Sequence, residues 1–145
     1  MASQAPTGLR TPPFQRQNRM IILKFFSIIV ALLIAGWLVF DGSRALITGD
    51  YLTPRAGPRG GQLGPWARLV SAAGLNPRSR IIKAAHVLLG VGWLTALVCF
   101  SIRPSIGWWT LLASAACTLW YLPIGTLLSL VELAILLSPS IRALK

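Results

Sequence analysis

The chemistry open to this chain rests on few side chains. Its 145 residues include three acids, one histidine and fourteen lysines and arginines, giving a net charge of +11. Glu132 lies deepest in apolar sequence: from Ile81 to Leu137 the only charges are Lys83, Arg103 and Glu132. An acid at the centre of a membrane helix costs about +2.5 to +3.5 kcal/mol on insertion scales, so it must be neutral or partnered. Ser129 and Gly125 fall on the same side of its helix. Thr110, Ser114 and Thr118 recur at i, i+4, i+8 and share one face of the preceding helix. These hydroxyls are the expected intramembrane partners, at about 1 kcal/mol or less each. Lys83 and His86 open an earlier apolar stretch, and either is placed to reach down and pair with Glu132. Two plainer readings stand beside these. Glu132 sits in one long helix and touches the far interface, and His86 is a satisfied residue near a helix end.

The same inventory excludes much else. One histidine and three acids build no Ser-His-Asp set, paired carboxylates or metal-ligand cluster, so no enzyme, metal or cofactor is expected. Cys99 and Cys117 sit in apolar stretches as reduced packing residues. Gly57-Pro58-Arg59-Gly60-Gly61 invites a phosphate-cradle reading. It lacks the Gly-Lys-Ser/Thr ending and a preceding strand, and reads better as a flexible turn. A quinone or pigment pocket is the weaker explanation of the Trp and Tyr residues, which suit interface anchors. The bases form no aromatic-interleaved platform, so nucleic acid is not the expected partner.

Positioning Glu132 requires long apolar helices. A hydrocarbon layer of about 30 Å takes about 20 apolar helical residues at about 1.5 Å each. Residues 21–40 and 81–102 have that length, with Lys24 placed to snorkel from the first. Only 12% of the chain is charged and mean hydropathy is +0.67, far from the roughly 25% charge of soluble domains. The sequence therefore predicts an all-α integral membrane protein. Ser27, Ala31 and Ala35 form a small-residue stripe on the first helix, and Gly92 with Ala96 a close-packing pair on the second.

Residues 106–137 run 32 positions with one charge, about 48 Å if helical throughout. Pro123 and Gly125 favour a break instead, giving a tight hairpin of spans 106–121 and 123–137, although a single kinked helix is the alternative. Trp120 and Tyr121 suit an interface at the turn, and Trp108 and Trp109 the opposite one. The stretch Leu119-Trp120-Tyr121-Leu122-Pro123-Ile124-Gly125-Thr126-Leu127-Leu128-Ser129 resembles the ending of small four-helix bacterial membrane proteins. That resemblance covers under a tenth of the chain; it implies the hairpin and no activity.

Residues 1–19 are basic, free of acid and without apolar periodicity, and are expected to be disordered. They have the arginines of a transit peptide but no amphipathic pattern. Residues 20–145 form the helical membrane domain. Within it, residues 41–80 make a loop in which the first helix continues to Thr48 and stops at Gly49, with Asp41 and Arg44 placed to pair. Pro65 to Gly74 bounds a short helix, with Trp66, Leu69, Val70 and Ala73 on one face. It lies either on the membrane surface or against the protein's own helices. In the surface reading Trp66 and Arg68, with Arg55, Arg59, Arg78 and Arg80, contact anionic headgroups or a partner. Basic residues tie at seven on each side of a four-span arrangement. The tight turn at Arg103 favours both ends in the cytoplasm. The expected function is a structural or interaction subunit, or an assembly factor, in a cell (inner) membrane complex. The alternative is a proton- or solute-handling transporter component using Glu132.

Overall fold

The computed structural model describes residues 13–143. The first twelve residues of the expected tail, and residues 144 and 145, lie outside them. The described residues form six helices and no strand: α1 Pro13–Thr48, α2 Trp66–Ala72, α3 Arg80–Ile102, α4 Pro104–Thr118, α5 Ile124–Leu136 and α6 Pro139–Arg142. The fold is all-helical, with α1 and α3 long and apolar enough to cross a membrane. At 15 and 13 residues, α4 and α5 rise only about 22 and 20 Å, shorter than the spans 106–121 and 123–137 expected of them.

α1 exceeds its expected span at both ends. Residues 13–19, expected to be disordered, are helical. A Pro suits the first helical turn, and Gln15, Arg16, Gln17 and Arg19 are straight-chain residues that lose little rotamer freedom in a helix. Once an apolar helix is nucleated, such residues extend it at little cost. At its far end α1 stops as expected before Gly49, whose φ of +90° suits a residue without Cβ.

The apolar sequence folds back at two places. Between α3 and α4 a single residue, Arg103, leaves the helical conformation, and its N–H donates to the Cys99 carbonyl at 2.7 Å. Pro104 then opens α4, where a missing N–H costs nothing. The second break, residues 119–123, comes where Pro123 and Gly125 place it, with a cis Leu122–Pro123 bond. There the Thr126 hydroxyl donates to the Leu119 carbonyl at 2.7 Å. Contacts along α1 set the register of the rest. Trp37 meets Tyr121 at the turn, Ser27 meets Glu132 on α5, and Gln15, Arg16, Arg19 and Met20 line a groove with Pro139 and Ser140 of α6. α1 and α5 are therefore antiparallel, and the two termini of the described chain share one end of the bundle.

Close approach depends on small residues. Ser27, Ala31 and Ala35 are all buried, as their stripe predicts. Gly90 on α3 sits so near α1 that a Cβ there would lie 2.6 Å from Val39 and 3.0 Å from the Ala35 carbonyl. The expected pair on α3 is split, with Ala96 in the core and Gly92 exposed. Val30, Ile34, Leu38, Trp93, Phe100, Leu111 and Leu136 fill the centre.

Polarity runs opposite to that of a soluble bundle. Ile22, Phe25, Leu33, Leu88, Val98, Leu127 and Leu130 face outward, whereas Ser27, Asp41, Lys83, His86, Thr118, Ser129 and Glu132 are buried. No more than a third of the most apolar stretch of α1 or α3 is buried.

Gly107 tests the α3–α4 crossing, since its Cβ would stand 2.0 Å from the Phe100 Cα. Gly107→Ala is expected to lower thermal stability in mild detergent by about 1–3 kcal/mol, the usual cost of overpacking. Gly92→Ala, whose Cβ would meet nothing within 4 Å, should leave it unchanged or slightly raised. Equal melting temperatures for the two variants would refute the crossing.

Candidate functional site

The buried polar groups divide between two places, one midway along α1 and α5, the other at the end of the bundle under the loop. At the first, Glu132 is fully buried on α5. The Ser27 hydroxyl of α1 donates to its Oε1 at 2.5 Å, while Oε2 and the neighbouring Ser129 Oγ have no hydrogen-bond partner among the described residues. Lys24 lies one turn from Ser27 on α1, with its Nζ 5.6 Å from the centre of the Phe100 ring.

Two hydroxyls of the face expected to serve Glu132, those of Thr110 and Thr118, are occupied elsewhere. Thr110 Oγ1 donates to the Gly107 carbonyl at 3.0 Å. Thr118 Oγ1 donates to the Ser114 carbonyl at 2.8 Å and accepts from Trp93 Nε1 at 2.9 Å. These bonds return to α4 itself or join it to α3. The face of α5 that carries Glu132 packs on α1, so Thr110, Ser114 and Thr118 do not meet it.

Lys83 and His86 do not reach Glu132 either. Both begin α3 at the other end of the bundle, where Lys83 Nζ donates to the Gly49 carbonyl. His86 is fully buried, and its Nδ1 lies 2.8 Å from the Ile82 carbonyl and 3.2 Å from the Tyr51 hydroxyl. A carbonyl only accepts, so Nδ1 carries the proton and Nε2 the lone pair. Nε2 has no partner.

Around His86 gather Tyr51, Trp66, Trp120 and Tyr121, with centroid separations to it of 4.9 to 5.4 Å. Tyr121 accepts from Trp37 Nε1 at 3.0 Å and lines the same cavity as Asp41. Asp41, only 3% exposed, accepts from the Leu52 N–H at 3.0 Å. Its expected pairing with Arg44 does not form, because Arg44 donates to the Asp50 carbonyl instead. A cavity of about 150 Å³ opens among Trp37, Asp41, Tyr51, Trp66 and Tyr121. Burial, and then the nearby Asp41, Tyr121 and Asp50, hold the Tyr51 phenol well above its ordinary value, so it stays protonated.

α2 is the short helix expected between Pro65 and Gly74, and Gly74 closes it at φ +78°. Its apolar face turns inward. Trp66, read as a lipid or partner contact, is 5% exposed and packs edge-on against Tyr51 and His86. An indole gains more from buried aromatic neighbours than from an interface, and α3 and the 119–123 turn supply them. Arg55, Arg59, Arg68 and Arg80 remain exposed. Arg78 instead ties the loop together, donating to Asp50 at 3.0 Å and to the Gly61 carbonyl at 2.8 Å.

No protein-family model, curated protein or solved structure matches this chain.

The partners that sequence reasoning missed were Ser27 for Glu132, and Asp41 with Tyr51 beneath the loop. Ser27 had a signal, as the one hydroxyl in an otherwise alanine stripe. Asp41 had a weaker one, an acid directly after an apolar span. Nothing in the spacing of Tyr51 announces its return to α3.

Asp50 gives the loop a pH dependence. Partial burial raises its pKa. The Arg78 bond, the Tyr51 N–H and the charges of Arg78 and Lys83 outweigh that and hold it below the ordinary carboxylate range. Its contribution is therefore present above the unfolded carboxylate value and lost as pH falls through the lowered folded one. Both side chains are about half exposed, which limits the pair to about 0.2–1 kcal/mol. Amide exchange in the loop should be faster in Arg78→Ala than in wild type near neutral pH. That difference should shrink in acid below the carboxylate range, where the Arg78 bond to the Gly61 carbonyl is what remains. A difference that does not shrink would remove Asp50 as the partner that matters.

Proposed function

We propose that this chain crosses the cell (inner) membrane four times and serves as a structural or interaction subunit, or an assembly factor, of a membrane complex. The inverted polarity carries the reading. Apolar side chains outside and polar ones inside, most of them hydrogen-bonded, suit lipid surroundings, since unsatisfied polar groups are costly there. From Met20 to Asp41, α1 rises about 31 Å, the thickness of a hydrocarbon layer. The α4–α5 hairpin covers most of it: its turn lies beside Trp37 and its far end beside Met20, about 26 Å apart along α1. The missing length lies under the loop, where Trp66 covers Trp120 and Tyr121. Irregular backbone at that depth is tolerated when protein covers it. The exposed Arg55, Arg59, Arg68 and Arg80 then border the headgroups, where each base near an anionic surface contributes about 1 kcal/mol.

Topology is directly measurable. With Cys99 and Cys117 replaced by alanine, single cysteines at Phe14 and Ala143 should label from the same face of the membrane. Labelling from opposite faces would refute the four-span arrangement.

The second reading, a proton- or solute-handling component, draws on the unpartnered Glu132 Oε2 and Ser129 Oγ. Glu132→Gln keeps shape and hydrogen bonding while removing ionisation; Glu132→Leu removes both. For an interaction subunit, Gln should preserve co-purification of partners in mild detergent, and Leu should reduce it by leaving Ser27 unpaired, at about 1–3 kcal/mol. pH-dependent flux through reconstituted wild type, lost in both variants with the fold intact, would favour transport instead. Wild-type partner association together with wild-type flux in the Leu variant would remove Glu132 from either role.

A further inference from the structure

We infer that the cavity beside Asp41 is a binding site for a small alkylammonium group, a cation with methyl or methylene substituents on nitrogen. Three observations, none of which depends on the role of Glu132, carry this. The first is the acid. Asp41 is 3% exposed, and among the described residues no lysine or arginine pairs with it; the one ion pair there is Arg78–Asp50. The nearby bases have other partners: Arg44 holds the Asp50 carbonyl, Lys83 the Gly49 carbonyl, and Arg78 Asp50 and the Gly61 carbonyl. The hydrogen bond Asp41 accepts comes from a neutral donor, the Leu52 N–H, and a bound cation would supply the charged partner that this buried carboxyl lacks.

The second observation is the wall. Four aromatic side chains, Trp37, Tyr51, Trp66 and Tyr121, line the same cavity as Asp41. Aromatic rings attract cations through their quadrupole, and desolvated cation–π contacts reach about 2 kcal/mol or more. A metal ion or ammonium prefers oxygen donors and water. An alkylated ammonium, weakly hydrated and apolar at its rim, fits rings around a single acid. The rings are also held in place, Trp37 by its bond to Tyr121 and Trp66 by its edge-on contacts with Tyr51 and His86. The third observation is size: the cavity, at about 150 Å³, is on the scale of a trimethylammonium head.

Two sources present this group, a zwitterionic lipid headgroup and a free solute such as choline. The test uses the full chain in a maltoside detergent and in nanodiscs of either phosphatidylglycerol alone or phosphatidylglycerol with phosphatidylcholine. Choline chloride and tetramethylammonium chloride are titrated while tryptophan fluorescence is followed, with sodium chloride and neutral 3,3-dimethylbutan-1-ol as controls. The expected result is a saturable change with both ammonium salts and none with either control. Asp41→Asn should weaken it about tenfold or more, a loss corresponding to about 1.4 kcal/mol. Trp37→Leu, at a partly exposed position, should weaken it as well. Choline binding in phosphatidylglycerol discs that phosphatidylcholine abolishes assigns the site to a lipid headgroup; equal binding in both discs assigns it to a free solute. A wild-type response that the neutral alcohol reproduces, or no saturable response in any medium, would overturn the proposal, and neither outcome depends on a variant folding. Unchanged affinity in a folded Asp41→Asn protein would overturn it too.

Discussion

A carboxyl group in the middle of an apolar bundle must be held from within the bundle, and Ser27 is the group that holds Glu132. Much of the packing follows from that bond. It requires α1 and α5 to lie close enough for a serine to reach, and therefore small residues on α1. Ala31 and Ala35 continue the stripe one and two turns on, and Gly90 lets α3 approach the same helix at Val39. α1 thus receives α5 and α3 along its length. Other buried polar side chains obey the same rule at shorter range. Thr118 satisfies the Trp93 indole, and the Trp108 indole donates to the Leu136 carbonyl at 2.8 Å, covering a helix-end acceptor that would otherwise lie bare.

Unequal helix lengths organise the opposite end. α1 runs on to Thr48 and α3 begins only at Arg80, while the α4–α5 turn stops beside Trp37. The shallow space over that turn is filled by the loop, which brings down Tyr51 and Trp66 to meet Trp120, Tyr121 and His86. Its own shape comes from hydrogen bonds to carbonyl oxygens and from glycines with positive φ, more than from apolar burial. Asp41 lies where the end of α1, the loop and the turn converge, and this convergence produces the cavity.

Much of the helical scaffold was legible in the sequence because apolar length and helix breakers are local signals. The limits of α3, the break at Arg103, the turn before Gly125, the stop at Gly49 and the closure at Gly74 could all be read from residue type. Partner choice could not. The regular recurrence of Thr110, Ser114 and Thr118 names a face but not the helix it meets, and that face turned toward α3 or back on α4. Lys83 and His86 entered from the expected end, yet carbonyl oxygens lay nearer to them than Glu132. The amphipathic pattern of α2 fixed which face is apolar. Whether lipid or protein covers that face depended on the depth of a turn more than fifty residues away.

The joint at Arg103 carries a consequence for how the bundle can move. One non-helical residue joins α3 to α4, and Gly107 brings the two backbones together within a turn of it. No slack remains for α4 to swing or slide along α3 by itself. Any rearrangement of the bundle must therefore carry the two helices as one rigid arm, with the guanidinium of Arg103 at its tip.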